Sequence, residues 1–168
     1  MKQKNIMLYR ILNQKAKLGF DVERVDPWIE LERLESVAVR SGMVEVRARF
    51  NFTVENAGIR EQSFLVPEAA IGVQFTGDAL SDAREAKPGE WLVKLKRKMV
   101  GAFSLNLAYQ MPTPDQPDRI GLQGIEVPGV NQQSGYLALV PHGRIQLVPQ
   151  GTHEALQPAE SQMVEPKL

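Results

Sequence analysis

Residues able to do catalytic or ligating chemistry are few in this 168-residue chain. There are two histidines, His142 in "VPHGR" and His153 in "GTHEAL", and no cysteine. Nucleophilic catalysis needs a nucleophile held beside a base. Both histidines stand in turn or tail contexts and no Gly-x-Ser-x-Gly elbow occurs, so a triad hydrolase is not expected. Two distant histidines without thiolates also give no zinc spacing. Asp78, Asp82 and Glu85 stand close together in "GDALSDARE", and oxygen-rich loops can hold calcium. The alternating D-x-D-x-D-G order is missing, so the run reads as a solvated acidic loop and no metal is expected. No Gly-x-Gly-x-x-Gly and no Gly-rich loop ending in Lys-Ser/Thr appears, which argues against dinucleotides and nucleoside triphosphates. No cofactor is expected. The 20 acidic residues always offer carboxylate pairs, so a carboxylate-based hydrolase stands only as a third reading.

Binding chemistry leaves two candidates. Sugar-binding sandwiches stack ligands on flat aromatic rings. Trp28 in "DPWIEL", with Tyr109 or Tyr136 if their rings face outward, is the candidate platform. The second candidate is the basic stretch "WLVKLKRKMVGAFSLNLAY", where Lys94, Lys96, Arg97 and Lys98 stand without an acidic residue. Period two resolves it into strand, turn and strand. Trp91, Val93 and Leu95 go to the core and Lys94 and Lys96 to the other side. The turn begins at Arg97 and closes near Gly101, after which Phe103, Leu105, Leu107 and Tyr109 return on the core face. The stretch is thus expected to be a β-hairpin whose lysines serve solubility and edge protection, with its tip a residual anion-contacting patch.

The elements that must position these side chains are strands. Val44, Val46, Ala48, Phe50, Phe52 and Val54 alternate with Glu45, Arg47, Arg49, Asn51, Thr53 and Glu55, which writes one buried and one wet face. "ENAG", Glu55–Gly58, reads as a turn, and a further strand runs through "REQSFLV" to Pro67. Ala16, Leu18, Phe20 and Val22 alternate in the same way, as do Ile71, Val73 and Phe75. "IGLQGIEV", "GYLALV" and "RIQLV" add short strands bounded by Gly or Pro. Many short strands between turn signals predict an all-β fold, an antiparallel β-sandwich of jelly-roll or immunoglobulin-like type. Helix is expected at most once and briefly, near residues 5–18 or over Gly77–Ala86.

Composition agrees. Twenty Lys+Arg balance twenty Asp+Glu, with 43% hydrophobic residues, as in an ordinary globular domain. A polyanion binder carries a basic surplus or stripe, so no nucleic-acid partner is expected. No apolar run reaches the roughly 18 residues of a membrane helix, and the N-terminal "IMLY" is broken at Arg10, unlike a secretory signal. "MPTPDQPDR" reads as a long loop. From Pro149 onward the chain is proline-containing, acidic and aperiodic, as in a flexible tail or inter-domain linker. The expected organisation is one sandwich domain over 1–148, with 1–14 an edge strand or short helix, and a tail over 149–168. The sequence leaves the oligomeric state open.

From Glu45 to Leu139, the order "FTVENAG", "SFLVPEAAIGVQFTGDAL", "GEWLVKLKRKMVGAFSLNLAY" and "GIEVPGVNQQSGYLALV" resembles β-sandwich modules of very large bacterial envelope-associated multidomain proteins. The shared features are a strand ending at a Leu/Val-Pro edge, a Trp-x-Val-x-Leu strand, a Gly-containing turn and a strand ending in Tyr. The resemblance implies a structural or interaction module, extracytoplasmic if part of an envelope protein and otherwise cytoplasmic. It carries over no catalytic or ligand residue. The resulting expectation is a non-catalytic module with a protein or glycan partner, a carbohydrate-binding module being the alternative.

Overall fold

The computed structural model describes residues 7–13, 15–114, 119–148, 150 and 156–159. Six strands follow in order: β1 Trp28–Arg40, β2 Met43–Leu65, β3 Ile71–Thr76, β4 Leu80–Lys87, β5 Glu90–Pro112 and β6 Gln132–Pro141. They form one hydrogen-bonded sheet in the order β3-β5-β2-β1-β6, with β4 also on β5. The chain is all-β, and no helix occurs among the described residues. Gly77–Ala86, read as a candidate helix, is a turn leading into β4, and its residues Asp82–Glu85 pair with Trp91–Lys94.

The sandwich arises from folding one long ladder rather than from stacking separate hairpins. β2 and β5 are each 23 residues long and pair antiparallel along most of their length. Phe50 and Phe64 both lie on β2, and a straight strand would part them by roughly 46 Å at ~3.3 Å per residue. Their ring centroids are 5.1 Å apart. β2 therefore doubles back, taking β5 with it. One layer holds β1, β3, β6, the first half of β2 and the second half of β5; the other holds β4 and the remaining halves.

The corner lies between Val54↔Gly101 and Glu61↔Lys94, where the register shifts twice around Ile59↔Met99 and then resumes. Asn56 has φ 65° and Gly101 φ 87°, and paired bulges of this kind bend both strands together. Gly58 is needed for close approach, since a Cβ there would sit 2.8 Å from the Met99 carbonyl oxygen. Two expectations change here. "ENAG" and the Arg97–Gly101 region are not hairpin turns but the two sides of one corner, and Trp91–Tyr109 belongs to a single strand. The core faces predicted for Val44–Val54, Trp91–Leu95 and Phe103–Tyr109 are nonetheless the ones observed.

The layers meet on a core that includes Phe50, Phe52, Phe64, Phe75, Val93, Leu95, Leu105 and Leu107. Phe64 from one layer touches Phe50, Phe52 and Phe75 of the other with centroids at 5.1, 6.3 and 5.0 Å.

The sheet is mixed, not purely antiparallel, because β6 runs parallel to β1 from Glu30↔Gln132 to Val39↔Pro141. A parallel neighbour needs a crossover, and the segment after β5 supplies it. That segment is not a strand as expected of "IGLQGIEV". It makes one bridge, Leu65↔Glu126, and buries Ile125 and Val127. "RIQLV" likewise forms no strand, although Ile145 and Leu147 pack against the core. Ala16–Val22 also joins no strand, and every described residue from Met7 to Asp26 is exposed. Most of the tail after 148 falls outside the described residues.

Candidate functional site

The first unusual feature is a pair of charges on a core face. Along β1 the inward positions are Ile29, Leu31, Arg33, Glu35, Val37 and Val39, and all but Arg33 are buried. Glu35 is only 5% exposed. Its carboxylate lies 3.7 Å from the Arg33 guanidinium, and that guanidinium donates through Nη1 to the Ile125 carbonyl at 2.5 Å. Burial pushes the Glu35 carboxyl above its ordinary value, and the charge of Arg33 pulls partly against this. Tyr109, on the same inner face, is held well above the usual phenol range by burial, with the Glu35 charge adding and Arg33 opposing.

This cluster binds the crossover to the first layer. In the second layer the counterpart is Gln62, whose Nε2 donates to the Pro128 carbonyl at 2.7 Å. The 120s segment is thus held at Ile125 by the half-buried Arg33 and at Pro128 by the buried Gln62, which satisfies carbonyls that would otherwise be desolvated. The signal was present in the sequence: Arg33 and Glu35 interrupt an alternating apolar series in "WIELERLESVAVR".

The raised pKa of Glu35 gives a pH prediction. A carboxyl whose folded pKa exceeds its unfolded one binds more protons in the native state. Its stabilising contribution is full below the unfolded value and is lost as pH rises through the folded value. The contribution of Glu35 to stability should therefore fall from about pH 4.5 upward, with a slope of at most about 1.4 kcal/mol per pH unit. Glu35→Gln should flatten this limb in denaturant titrations run across that window. An unchanged slope in the variant would remove Glu35 as its source.

The sequence-predicted platform does not assemble. Tyr109 is 2% exposed and belongs to the core, a correction to its candidacy. Trp28 is 42% exposed and donates through Nε1 to Glu30 Oε1 at 3.2 Å. Tyr136 is exposed on β6 in register with Leu34, six positions along β1 from Trp28. That separation is about 20 Å at ~3.3 Å per residue, too far for one sugar ring to bridge.

The basic candidates divide. Lys94 stands in register between Glu61 and Asp82, neighbours that offset its charge. Lys96 and Arg97 join Arg49 and Asp78 around an open groove of about 680 Å³ at the corner. Lys98 is exposed, its aliphatic stem against Gly58.

The acidic candidates do not converge. Asp82 and Glu85 are three positions apart on β4 and so point to opposite faces. Glu85 instead accepts from the Gly89 N–H at 2.9 Å. No group of three His, Cys, Asp or Glu side chains placed to hold a metal occurs among the described residues. His142 follows β6 directly, with its N–H donated to the Val39 carbonyl, and His153 lies outside the described residues. No described helix is long and apolar enough to cross a membrane.

The remaining feature is an edge. Among the described residues β6 pairs only with β1, which leaves its other side without a strand over ten residues. "QQSGYLALVP" holds no charge, and Tyr136, Leu137, Leu139 and Val140 are all exposed. Natural edges are blunted by charge, shortness or cover. β4 follows that rule with Asp82, Arg84, Glu85 and Lys87, and β3 is only six residues long. β6 follows it only in its terminal proline.

No family model matches the chain, and no curated protein matches it. Among solved structures the chain is similar to a non-cellulosomal cohesin from the hyperthermophilic archaeon Archaeoglobus fulgidus, at 14% identity and a TM-score of 0.36, over 69% of this chain and 92% of that one.

Proposed function

We propose that this β-sandwich is a non-catalytic interaction module whose contact surface is the open edge of β6. The observation that carries the reading is that uncharged, apolar edge. A polypeptide in extended form would complete its hydrogen bonding by strand addition, with Leu137 and Leu139 supplying side-chain contacts. The buried charges fit a structural role. Glu35 lies beneath the crossover, and the groove at the corner does not include it. We further take the module to be part of a larger envelope-associated protein, a reading supported by the sequence resemblance over Glu45–Leu139.

A displayed library of random extended peptides tests the surface. Peptides with alternating apolar residues should be enriched on the native chain, and Leu137→Lys with Leu139→Lys should weaken them at least tenfold. Both positions are exposed, so the double variant should keep the native melting temperature. Peptides that bind the double variant equally well would exclude the edge. Glycan binding lost on Trp28→Ala would instead support the carbohydrate reading.

A further inference from the structure

The β6 edge has a complement within the same sequence. Residues 16–22 alternate as a strand would, with Ala16, Leu18, Phe20 and Val22 on one side and Lys17, Gly19 and Asp21 on the other. Their apolar side lies in water: Phe20 is 75% exposed, and Leu18 and Val22 are similarly open. A half-buried strand pattern with nothing buried is an unpaired strand. Its apolar stripe matches the inner-face stripe of Leu137 and Leu139, which lie in register with the core residues Glu35 and Val37.

The segment does not lie on its own β6: every described residue from Met7 to Asp26 is exposed and joins no strand. It enters β1 at Trp28, and the Asn131 N–H that precedes β6 donates to the Ile29 carbonyl there. To lie on the outer side of its own β6, the segment must cross that strand, two inter-strand spacings or about 9.6 Å. The link from Val22 to Trp28, six residue steps, spans roughly 20 Å fully extended. The link would thus allow self-pairing, yet the segment stays unpaired in its own domain, which points to another molecule.

We infer that residues 16–22 of one copy add as a strand to the β6 edge of a second copy, joining modules through donor strand and acceptor edge. This rests on the interaction reading of β6 and names its occupant. Such a contact is heterologous, so a joined pair keeps a free acceptor on one copy and a free donor on the other and the assembly can extend.

The test uses two full-length variants. Leu18→Lys with Phe20→Lys disables the donor, and Leu137→Lys with Leu139→Lys disables the acceptor. Sedimentation should show concentration-dependent oligomers for the native chain and at least tenfold weaker self-association for either variant alone. Mixing the two variants should yield a one-to-one dimer that grows no further, because only one donor and one acceptor remain. A donor variant that assembles as the native chain does, while the acceptor variant does not, would overturn the inference yet leave β6 as an interaction edge. Assembly unaffected by either variant would overturn both. A native chain that stays monomeric, with β6 amides losing exchange protection only in the donor variant, would place the segment on its own β6 and overturn the second-copy assignment.

Discussion

Phe64→Ala should lower stability by about 3–5 kcal/mol, the range for truncating a fully buried aromatic ring. Phe64 is completely buried and sits where the two layers meet, against Phe50 and Phe52 of its own strand and Phe75 of β3. Its neighbours come from several positions along a folded ladder, so no single rotamer change can fill the space left behind. At roughly 2–4 °C per kcal/mol for a domain of this size, the melting temperature should fall by about 6–20 °C. Phe103→Ala gives the contrast. Its ring stacks on Phe52 at 5.0 Å but is only half-buried, and its loss should cost about 1–2 kcal/mol by the same area reasoning. Equal losses for the two variants in denaturant titration would mean that Phe64 does not join the layers.

Gly135→Ala should cost about 2–3 kcal/mol, although a single added methyl on an exposed strand is ordinarily worth less than about 0.5 kcal/mol. The reason is local. A Cβ at this position would run into the Arg33 carbonyl oxygen and lie 2.8 and 2.9 Å from the Arg33 carbonyl carbon and amide nitrogen. All three are backbone atoms of β1, so relief requires the β1–β6 ladder to part. Among the described residues β6 has no other strand partner, and its side chains are exposed or at most half-buried. The strand should therefore detach while the core between the layers stays packed. Hydrogen exchange should show lost protection for the β6 amides and for the His142 N–H, which is bound to the Val39 carbonyl. Protection in β2 and β5 should be retained. Global unfolding instead would show that β6 is integral to the core. The same variant should also lose the acceptor edge.

Much of the architecture was legible because alternation reports directly on which face of a strand is buried. Val44–Val54, Trp91–Leu95 and Phe103–Tyr109 were each placed on the core side by period two, and each is found there, with Trp91 and Phe103 partly covered. The candidate site was less legible. The interest of "GYLALV" lies in what it fails to pair with, and a strand's composition does not state how many neighbours it has. Tyr109 was offered as a ligand platform because ring exposure depends on the opposing layer. The same layer closes over Glu35, whose burial raises its pKa.

The amino-acid sequence by itself determined the class of fold, the inward face of most long strands, and the places where those strands break. Asn56, Gly58 and Gly101 were bound to interrupt a straight ladder, since positive φ and close backbone approach are cheap for few other residues. Tertiary structure decided what each interruption became. A local hairpin would have paired β2 with itself; pairing with β5 on both sides of the break keeps one ladder intact and brings Phe50 onto Phe64. Long-range closure likewise set β6 parallel to β1 and buried Glu35, beside the half-buried Arg33, under the crossover. It also left Ala16–Val22 written as a strand but without a partner in its own domain. A pattern of faces can be read along one chain, but which strand lies alongside depends on the burial available to the whole fold.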